Sequence, residues 1–582
     1  MTKGGAFLIE TVKPEDVFTP EDFSEEHLMV AKTVTDFVND VVVPRSESVE
    51  AKDFEALREL MRQAGELGFL GVDVPEEYGG EGLDKITSMI VGERMARGGS
   101  FAVAMLAHTG IGTLPVVFFG NEEQKKKYLP GMAKGTLIAA YALTEPGAGS
   151  DALNAKTRAV LSEDGQYYVL NGTKQFITNA GFADVFITFA RVDGEKFTAF
   201  IVDRDTPGVT IGPEEKKMGL DGSSTCPVIF EDARVPVANV LGEIGRGHLV
   251  ALNVLDIGRL KLGAACAGSG KLAVEISAKY ALQREQFGRP IARFGLIQEK
   301  LGRMAAHTYA VESSVYRTTG DIEERLAGVA AGEGEQVARA IADYAVECSI
   351  NKVYGSEALD LIVDEAVQIH GGYGYIKEYL VERFYRDARI NRIFEGTNEI
   401  NRLLIPGTLL RRAMKGELAL LAAAQRLAKE VLELTPAMPV EDVPLATEAA
   451  LVEAAKKVFL LVGGTAAQKF MDKIQEEQEI LAALADLVIA IYTMESAVLR
   501  ARKALTRGPA EDHVALARAY VYEVFPTVEL RAREALAATL EGDELLTQLA
   551  VLRRLARYQP VNIVGLRRKI AGRVCELERY PL

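Results

Sequence analysis

The feature that most constrains this chain is a change of hydrophobic period partway along it. From about Pro20 to Gly135 the pattern is helical: Val30, Thr33, Val34 and Phe37 fall on one stripe, and Met61, Ala64, Leu67 and Leu70 on another. Gly79-Gly80 and Gly82 interrupt the run. Near Leu137 the character switches. Tyr167–Leu170, Val185–Phe189, Phe197–Val202, Val209–Ile211 and Val228–Phe230 are short, rich in β-branched and aromatic residues, and separated by Asp/Gly turns. Helical periodicity returns near His248 and persists to about Leu410. Thr435 to Pro444 reads as a linker or exposed loop, and the Ala/Leu/Glu/Arg-rich remainder as further helix. No repeat of fixed period stands out. The expected fold is mainly α with a central β barrel or sandwich. Its expected domains are 1–140 helical, 141–247 β, 248–410 a helical bundle, and 411–582 a C-terminal helical extension.

Size and charge narrow the function. At roughly 100–200 residues per domain, 582 residues suit three to five domains. The 67 basic and 82 acidic side chains leave a formal charge of −15, which disfavours nucleic acid as a partner. Cys226, Cys266, Cys348 and Cys575 form no CxxC pair, and the six histidines form no HExxH, so no metal centre or disulfide framework is expected. The N-terminal MTKGGAFLIETVKPEDVF resembles neither a secretory signal nor an Arg-rich transit peptide, so a cytoplasmic protein is expected. The greasiest stretch, Ile480 to Met494, is interrupted by Asp486 and falls short of the ~20 residues that span a bilayer.

Three segments carry chemistry. Tyr141-Ala-Leu-Thr-Glu-Pro-Gly-Ala-Gly-Ser-Asp151 is a strand-like entry into a Gly-rich turn. It suits either a polar ligand or a plain capped β-turn, and it lacks the Lys of a phosphate loop. In Asn171-Gly-Thr-Lys-Gln-Phe-Ile-Thr-Asn-Ala-Gly181, Asn171-Gly172 is a hairpin signal, and period two puts Phe176 and Thr178 on one strand face. In Tyr385–Arg402, Glu395 sits at a break between helical stretches. A desolvated carboxylate there could serve as a general base, and a helix-terminal Glu is the plain alternative.

Together with REQFGRPI and AVQIHGGYGY, these segments resemble, in order, the acyl-CoA dehydrogenase family over about residues 20 to 410. The resemblance implies the α, β and four-helix-bundle fold of that family and non-covalently bound FAD. It implies oxidation of the Cα–Cβ bond of an acyl-CoA to a trans-2-enoyl-CoA. Glu395 then looks like the base for the α proton, with its own N–H and a flavin ribityl hydroxyl holding the thioester oxygen. Phe394 and Gly396 flank it on the substrate side. Tyr141, Leu143 and Thr144 resemble flavin-lining positions and Ser150 a substrate-lining one. Phe176 and Thr178 fall where the family sets an aromatic, commonly Trp, beside the flavin and a hydroxyl near N5; this chain has no Trp. Arg284, Gln286 and Phe287, with Gln368, Gly371 and Gly372, resemble an arm reaching the FAD of a neighbouring subunit. Thr397 and Glu399 resemble contacts on its adenosine side, so a dimer is the smallest working unit.

Asp256 and Arg259 resemble CoA-side contacts. Gly258 occupies the slot that holds the base in the isovaleryl branch, which favours Glu395. Val103, Ala104 and Ala107 map to the floor of the acyl pocket, and their small size implies a long-chain preference. The extension is similar to that of very-long-chain members. Its basic run, Val551–Cys575, suits anionic lipid, the CoA end of a substrate, another subunit, or simply pairing with nearby acids. The expected electron acceptor is an electron-transfer flavoprotein, in β-oxidation. An acyl-CoA oxidase, a flavin monooxygenase and an assembly-factor-like interaction protein stay open as alternatives.

Overall fold

The computed structural model describes residues 3–330, 333–432 and 443–582. Most of the Thr435–Pro444 stretch lies outside the described residues. The chain packs as two compact units, each gathered from discontinuous stretches. One, here the sheet unit, comprises Phe23–Gly268 and Ile322–Ala342. The other, the helical unit, comprises Met1–Asp22, Ser269–Asp321 and Asp343–Leu582.

In the sheet unit the helices start where short polar side chains satisfy the first N–H groups. Ser24 caps Glu25–Phe37 in a reciprocal box with His27, Asp53 caps Phe54–Glu66, and Asp84 caps Lys85–Met95. Eight strands follow: β1 (Ala139–Ala142), β2 (Arg158–Leu161), β3 (Tyr167–Thr178), β4 (Val185–Val192), β5 (Lys196–Asp203), β6 (Val209–Ile211), β7 (Thr225–Pro236) and β8 (Val240–Leu241). They form one sheet in the order β6-β7-β3-β2-β4-β5-β8, with β1 parallel to β4. Strand β4 is buried almost throughout, which is why VFITFARV reads as an apolar run instead of an alternation. The core joins helices to sheet: Phe37, Phe69 and Phe101 pack in one cluster with Tyr168, Phe186 and Phe200.

Asn171-Gly172 makes no hairpin. It lies inside β3, where the ladder with β7 slips between Leu170 and Gly172. Asn171 exchanges hydrogen bonds with Asp232 on β7, and a Cβ at Gly172 would meet Thr157 Oγ1 at 2.4 Å. The pair serves a β-bulge, a second use of the same turn-forming residues.

In the helical unit, the Gly295–Leu326 helix up to Asp321, Ala345–His370 and Asn398–Met414 share one continuous core with Ala446–Phe470, Gln478–Arg507 and Glu511–Thr539 of the extension. Arg500 is buried between Glu21 near the N-terminus and Glu312, and Glu312 also accepts from Tyr580 near the C-terminus. The apolar stretch around Asp486 is longer than expected. Among the described residues, Ser100–Phe119 and Gln478–Arg507 are long and apolar enough to cross a membrane, with 78% and 89% of their most apolar windows buried within the protein.

The distal part of the extension's basic run is ion-paired at Arg567, Lys569 and Arg573. Arg567 meets Glu299 and Glu523, Lys569 meets Glu511, and Arg573 meets Asp512 and Glu576.

Candidate active site

In the sheet unit, the loop after β1 is held by a buried lysine. Lys174, on β3, donates from Nζ to Glu145 Oε1 (2.7 Å) and to the carbonyl of Leu143 (3.3 Å). Glu145 also accepts from the N–H groups of Lys156 and Thr157 and from Thr157 Oγ1. Burial alone would raise the Glu145 carboxyl, but the Lys174 charge and these donors hold it below its ordinary range. Burial brings Lys174 down to about 8 against the opposing pull of Glu145. Glu145 and Ala148 exchange backbone hydrogen bonds across the turn, and Gln175 N–H donates to the Thr144 carbonyl at 2.8 Å. The Gly-rich segment is thus a tight turn docked on β3. Leu143 is buried, Thr144 half-buried and Ser150 exposed; Cβ atoms at Gly147 or Gly149 would meet nothing within 4 Å. Tyr141 sets its ring edge-on to Phe189 and its hydroxyl on the Ala251 carbonyl.

The β3/β7 register slips again between Lys174 and Ile177. Phe176 sits in this bulge at φ +58° and is 62% exposed, whereas Thr178 is half-buried and pairs in register with Thr225. The burial alternation slips by one after Lys174, while Phe176 and Thr178 stay on the open side of buried Ile177. A left-handed phenylalanine costs roughly 1–2 kcal/mol. An exposed ring held there, with a hydroxyl two residues on and an open turn beside it, fits one face of a flat tricyclic group such as flavin. Asn179 closes the segment by donating to the Ala104 carbonyl at 2.9 Å, which ties β3 to the Ser100–Ala107 helix. On that helix Ala104 is buried, while Val103 and Ala107, four apart, are half-buried. Asp256 and Arg259 are both buried and pair with each other at 2.8 Å; burial pushes the Asp256 carboxyl up to about 6, with Arg259 pulling the other way.

In the helical unit, Glu285–Gln286 and Arg289–Pro290 form a small hairpin whose turn residues, Phe287 and Gly288, both have positive φ. Such a turn projects Phe287 rigidly, and it is 94% exposed. Arg284, at its base, lies over the Tyr373 ring at 5.5 Å. Gln286, Gln368, Gly371 and Gly372 are exposed, and Cβ atoms on the two glycines would meet nothing within 4 Å. A planar cation, a bare ring and open backbone fit the pyrophosphate and adenine parts of a dinucleotide.

Glu395 lies between a turn of 3₁₀ helix, Arg389–Arg392, and the Asn398–Met414 helix. Glu395 and Gly396 have φ of +58° and +80°, the residue is half-buried, and its Oε2 is closed to solvent. Phe394 and Gly396 are half-buried beside it. Lys352, fully buried, donates to the Gly396 carbonyl and to Asn398 Oδ1, each at 2.7 Å. Asn401 Nδ2 reaches the carbonyls of Gly396 (2.8 Å) and Thr397 (3.1 Å). Thr397 caps the following helix by accepting from Ile400 N–H; Glu399, exposed in the first turn, is held below its ordinary range by its own N–H and by Thr397. Sequence reasoning passed over Lys174, Lys352 and Asn401. For Lys352 the available signal was a lone cation within the mostly apolar VECSINKVYGSEAL stretch.

Known proteins match this chain along most of its length. Family profiles described as acyl-CoA dehydrogenase N-terminal, middle and C-terminal domains match residues 24–136, 140–233 and 245–410. A second one, also described as a C-terminal domain, matches 454–554. A "Probable acyl-CoA dehydrogenase" of Bacillus subtilis (strain 168) is 55% identical and covers 100% of this chain and 98% of its own. The human mitochondrial very long-chain specific acyl-CoA dehydrogenase is 36% identical, covering 82% of this chain and 76% of its own. The crystal structure of an acyl-CoA dehydrogenase complexed with FAD from Bacillus anthracis superposes with a TM-score of 0.99, at 56% identity and full coverage of both chains.

Proposed function

The chain belongs to the acyl-CoA dehydrogenase family and is an FAD-dependent acyl-CoA dehydrogenase, and from that premise we propose that Glu395 is its catalytic base and long-chain acyl-CoA its substrate. The observation that carries the base is the Glu395 loop itself: a left-handed carboxylate residue with a buried oxygen, tethered through its neighbouring carbonyls by Lys352 and Asn401. An α proton beside a thioester is weakly acidic, so the base needs fixed geometry and a dry setting. Glu395 takes that proton. Its backbone N–H holds the thioester oxygen, an electrostatic contribution of roughly 3–4 kcal/mol per donor.

FAD, when bound, supplies the hydride acceptor for the β hydrogen. Leu143, Thr144, Phe176 and Thr178 line its ring, and Arg284, Gln286, Phe287, Gln368, Gly371 and Gly372 serve its pyrophosphate and adenosine end from a second subunit. Support for the long acyl chain comes from the small side chains at Val103, Ala104 and Ala107 and from likeness to very long-chain specific relatives. On the same reading the enzyme is a cytoplasmic dimer that passes electrons to an electron-transfer flavoprotein in β-oxidation.

The test is anaerobic bleaching of the flavin by acyl-CoA from four to twenty carbons. Wild-type bleaching is expected to be fastest with long chains, and Glu395→Gln to retain FAD and not bleach. Normal bleaching by Glu395→Gln sinks the base; a maximum at four carbons sinks the chain length.

A further inference from the structure

Asp486 poses a problem that the reaction does not explain. It sits within the apolar run Ile480–Met494 of an extension helix, where an acid is costly unless it is paired. Its Oδ1 accepts from Arg402 Nε at 2.8 Å and its Oδ2 lies 3.1 Å from Arg531 Nε. Arg402 also grips Glu357 through both terminal nitrogens, at 2.6 and 2.8 Å. Glu357 accepts from Asn398 Nδ2 at 3.0 Å, and Asn398 Oδ1 accepts from Lys352. Lys352 ends the series on the Gly396 carbonyl, one peptide beyond Glu395. All of these residues belong to the helical unit.

We propose that Lys352 is a positioning residue for the Glu395 base, and that the C-terminal extension holds it in place through Asp486, Arg402, Glu357 and Asn398. The proposal rests on Glu395 being the base. Two consecutive positive φ values make the Glu395–Gly396 backbone a conformation that the chain does not keep unaided. Lys352 and Asn401 both donate to the one Gly396 carbonyl, which sets the direction of that peptide and so of the carboxylate preceding it. Lys352 emerges from a different helix, Ala345–His370, so its reach fixes the loop against the bundle. Arg402 lies one turn inside the helix that the loop leads into, and its two acidic partners set that helix against both Ala345–His370 and the extension. Displacing a reacting group by about 1 Å can cost about 100-fold in rate.

The experiment uses the full-length, FAD-loaded enzyme and its FAD-free form. Lys352→Met keeps the length of the side chain and removes the ammonium; Asp486→Asn keeps shape and removes charge at the far end. Arg518→Gln, which severs an extension ion pair with Glu448 outside this series, is the control. Single-turnover flavin bleaching is measured against acyl-CoA concentration, with α-hydrogen and α-deuterium substrate. Amide exchange of residues 394–401 is followed with and without FAD.

Lys352→Met is expected to slow bleaching about 100-fold at saturation, raise the deuterium isotope effect, and leave the half-saturating concentration within about threefold. Asp486→Asn is expected to slow it about tenfold, and the double variant to be no slower than Lys352→Met alone. Both single variants should speed exchange of the loop amides, and Arg518→Gln should do neither. Wild-type bleaching and loop exchange in Lys352→Met overturn the positioning role. Additive losses in the double variant overturn the link to the extension, and so, whether or not Lys352→Met folds, do wild-type bleaching and loop exchange in Asp486→Asn. Glu395→Gln, run alongside, keeps the readings apart: if it bleaches normally, the assignment of the base has failed, and not the tether.

Discussion

Lys174 and Glu145 form an ion pair 2.7 Å long, with the lysine side chain fully buried and the glutamate nearly so. The pair joins the middle of β3 to the turn after β1, and with them the two motifs that line the proposed flavin ring. Removing one partner strands the other charge away from water. Lys174→Met is expected to destabilise the protein by about 3–5 kcal/mol, whereas Lys174→Met with Glu145→Gln, which removes the stranded charge and keeps an acceptor for the Lys156 and Thr157 donors, recovers part of the loss. Urea unfolding midpoints of the wild type and the two variants check this, and FAD release on dilution reports whether the Leu143–Thr144 turn has come loose.

Phe176 should show a conflict between stability and function. At φ +58° a glycine carries no steric penalty, so Phe176→Gly is expected to leave the FAD-free protein as stable as the wild type, or more stable by up to about 1 kcal/mol. The same change removes the exposed ring and should weaken FAD binding. Calorimetry of the FAD-free chain and a fluorescence titration with FAD separate the two effects.

His108 predicts a specific loss of stability in acid. It is fully buried, its Nδ1 accepts from Ala139 N–H, and its Nε2–H donates to the Met132 carbonyl, so the ring is neutral. Burial lowers its pKa from the ordinary 6.5 to about 4. Above pH 6.5 neither the folded nor the unfolded chain protonates it and its contribution is fully present. As pH falls below 6.5 the unfolded chain takes up a proton that the folded chain refuses, and the loss continues until about pH 4. The contribution lost is roughly 3 kcal/mol. His108→Gln, which can accept and donate in the same places, should be less sensitive over that window when unfolding is compared at pH 7 and pH 4.

Val103 and Ala107 should set acyl length if the proposed pocket is right. Ala107→Phe fills the half-buried face of the Ser100–Ala107 helix. For each methylene it keeps from burial, the preference for sixteen over four carbons should fall by about 0.8 kcal/mol, about fourfold in kcat/KM. An unchanged chain-length profile would remove these residues from the pocket.

The strand stretches between Leu137 and His248 were legible because alternation and β-branching are local properties of a few neighbouring residues. The break that carries Glu395 was legible for the same reason: apolar helical spacing stops on one side of Phe394-Glu395-Gly396 and resumes on the other. Asn171-Gly172 misled because its signal is a backbone preference, which suits a bulge as well as a turn. Only pairing with Asp232 and close approach to Thr157 select the bulge. The slip between Lys174 and Ile177 had no local signal either, although it leaves Phe176 and Thr178 on the open side of buried Ile177.

Sequence alone determined the order of helical and extended segments and the identity of the motif residues, since both reside in short-range patterns of side-chain type. Tertiary structure decided how distant segments are joined: Gly5 to Glu347, Arg500 to Glu21, Lys174 to Glu145, and Lys352 to Gly396. No local pattern encodes such partners. A buried charge is tolerated only where folding brings it a hydrogen-bonding mate, and that mate can come from anywhere in the chain.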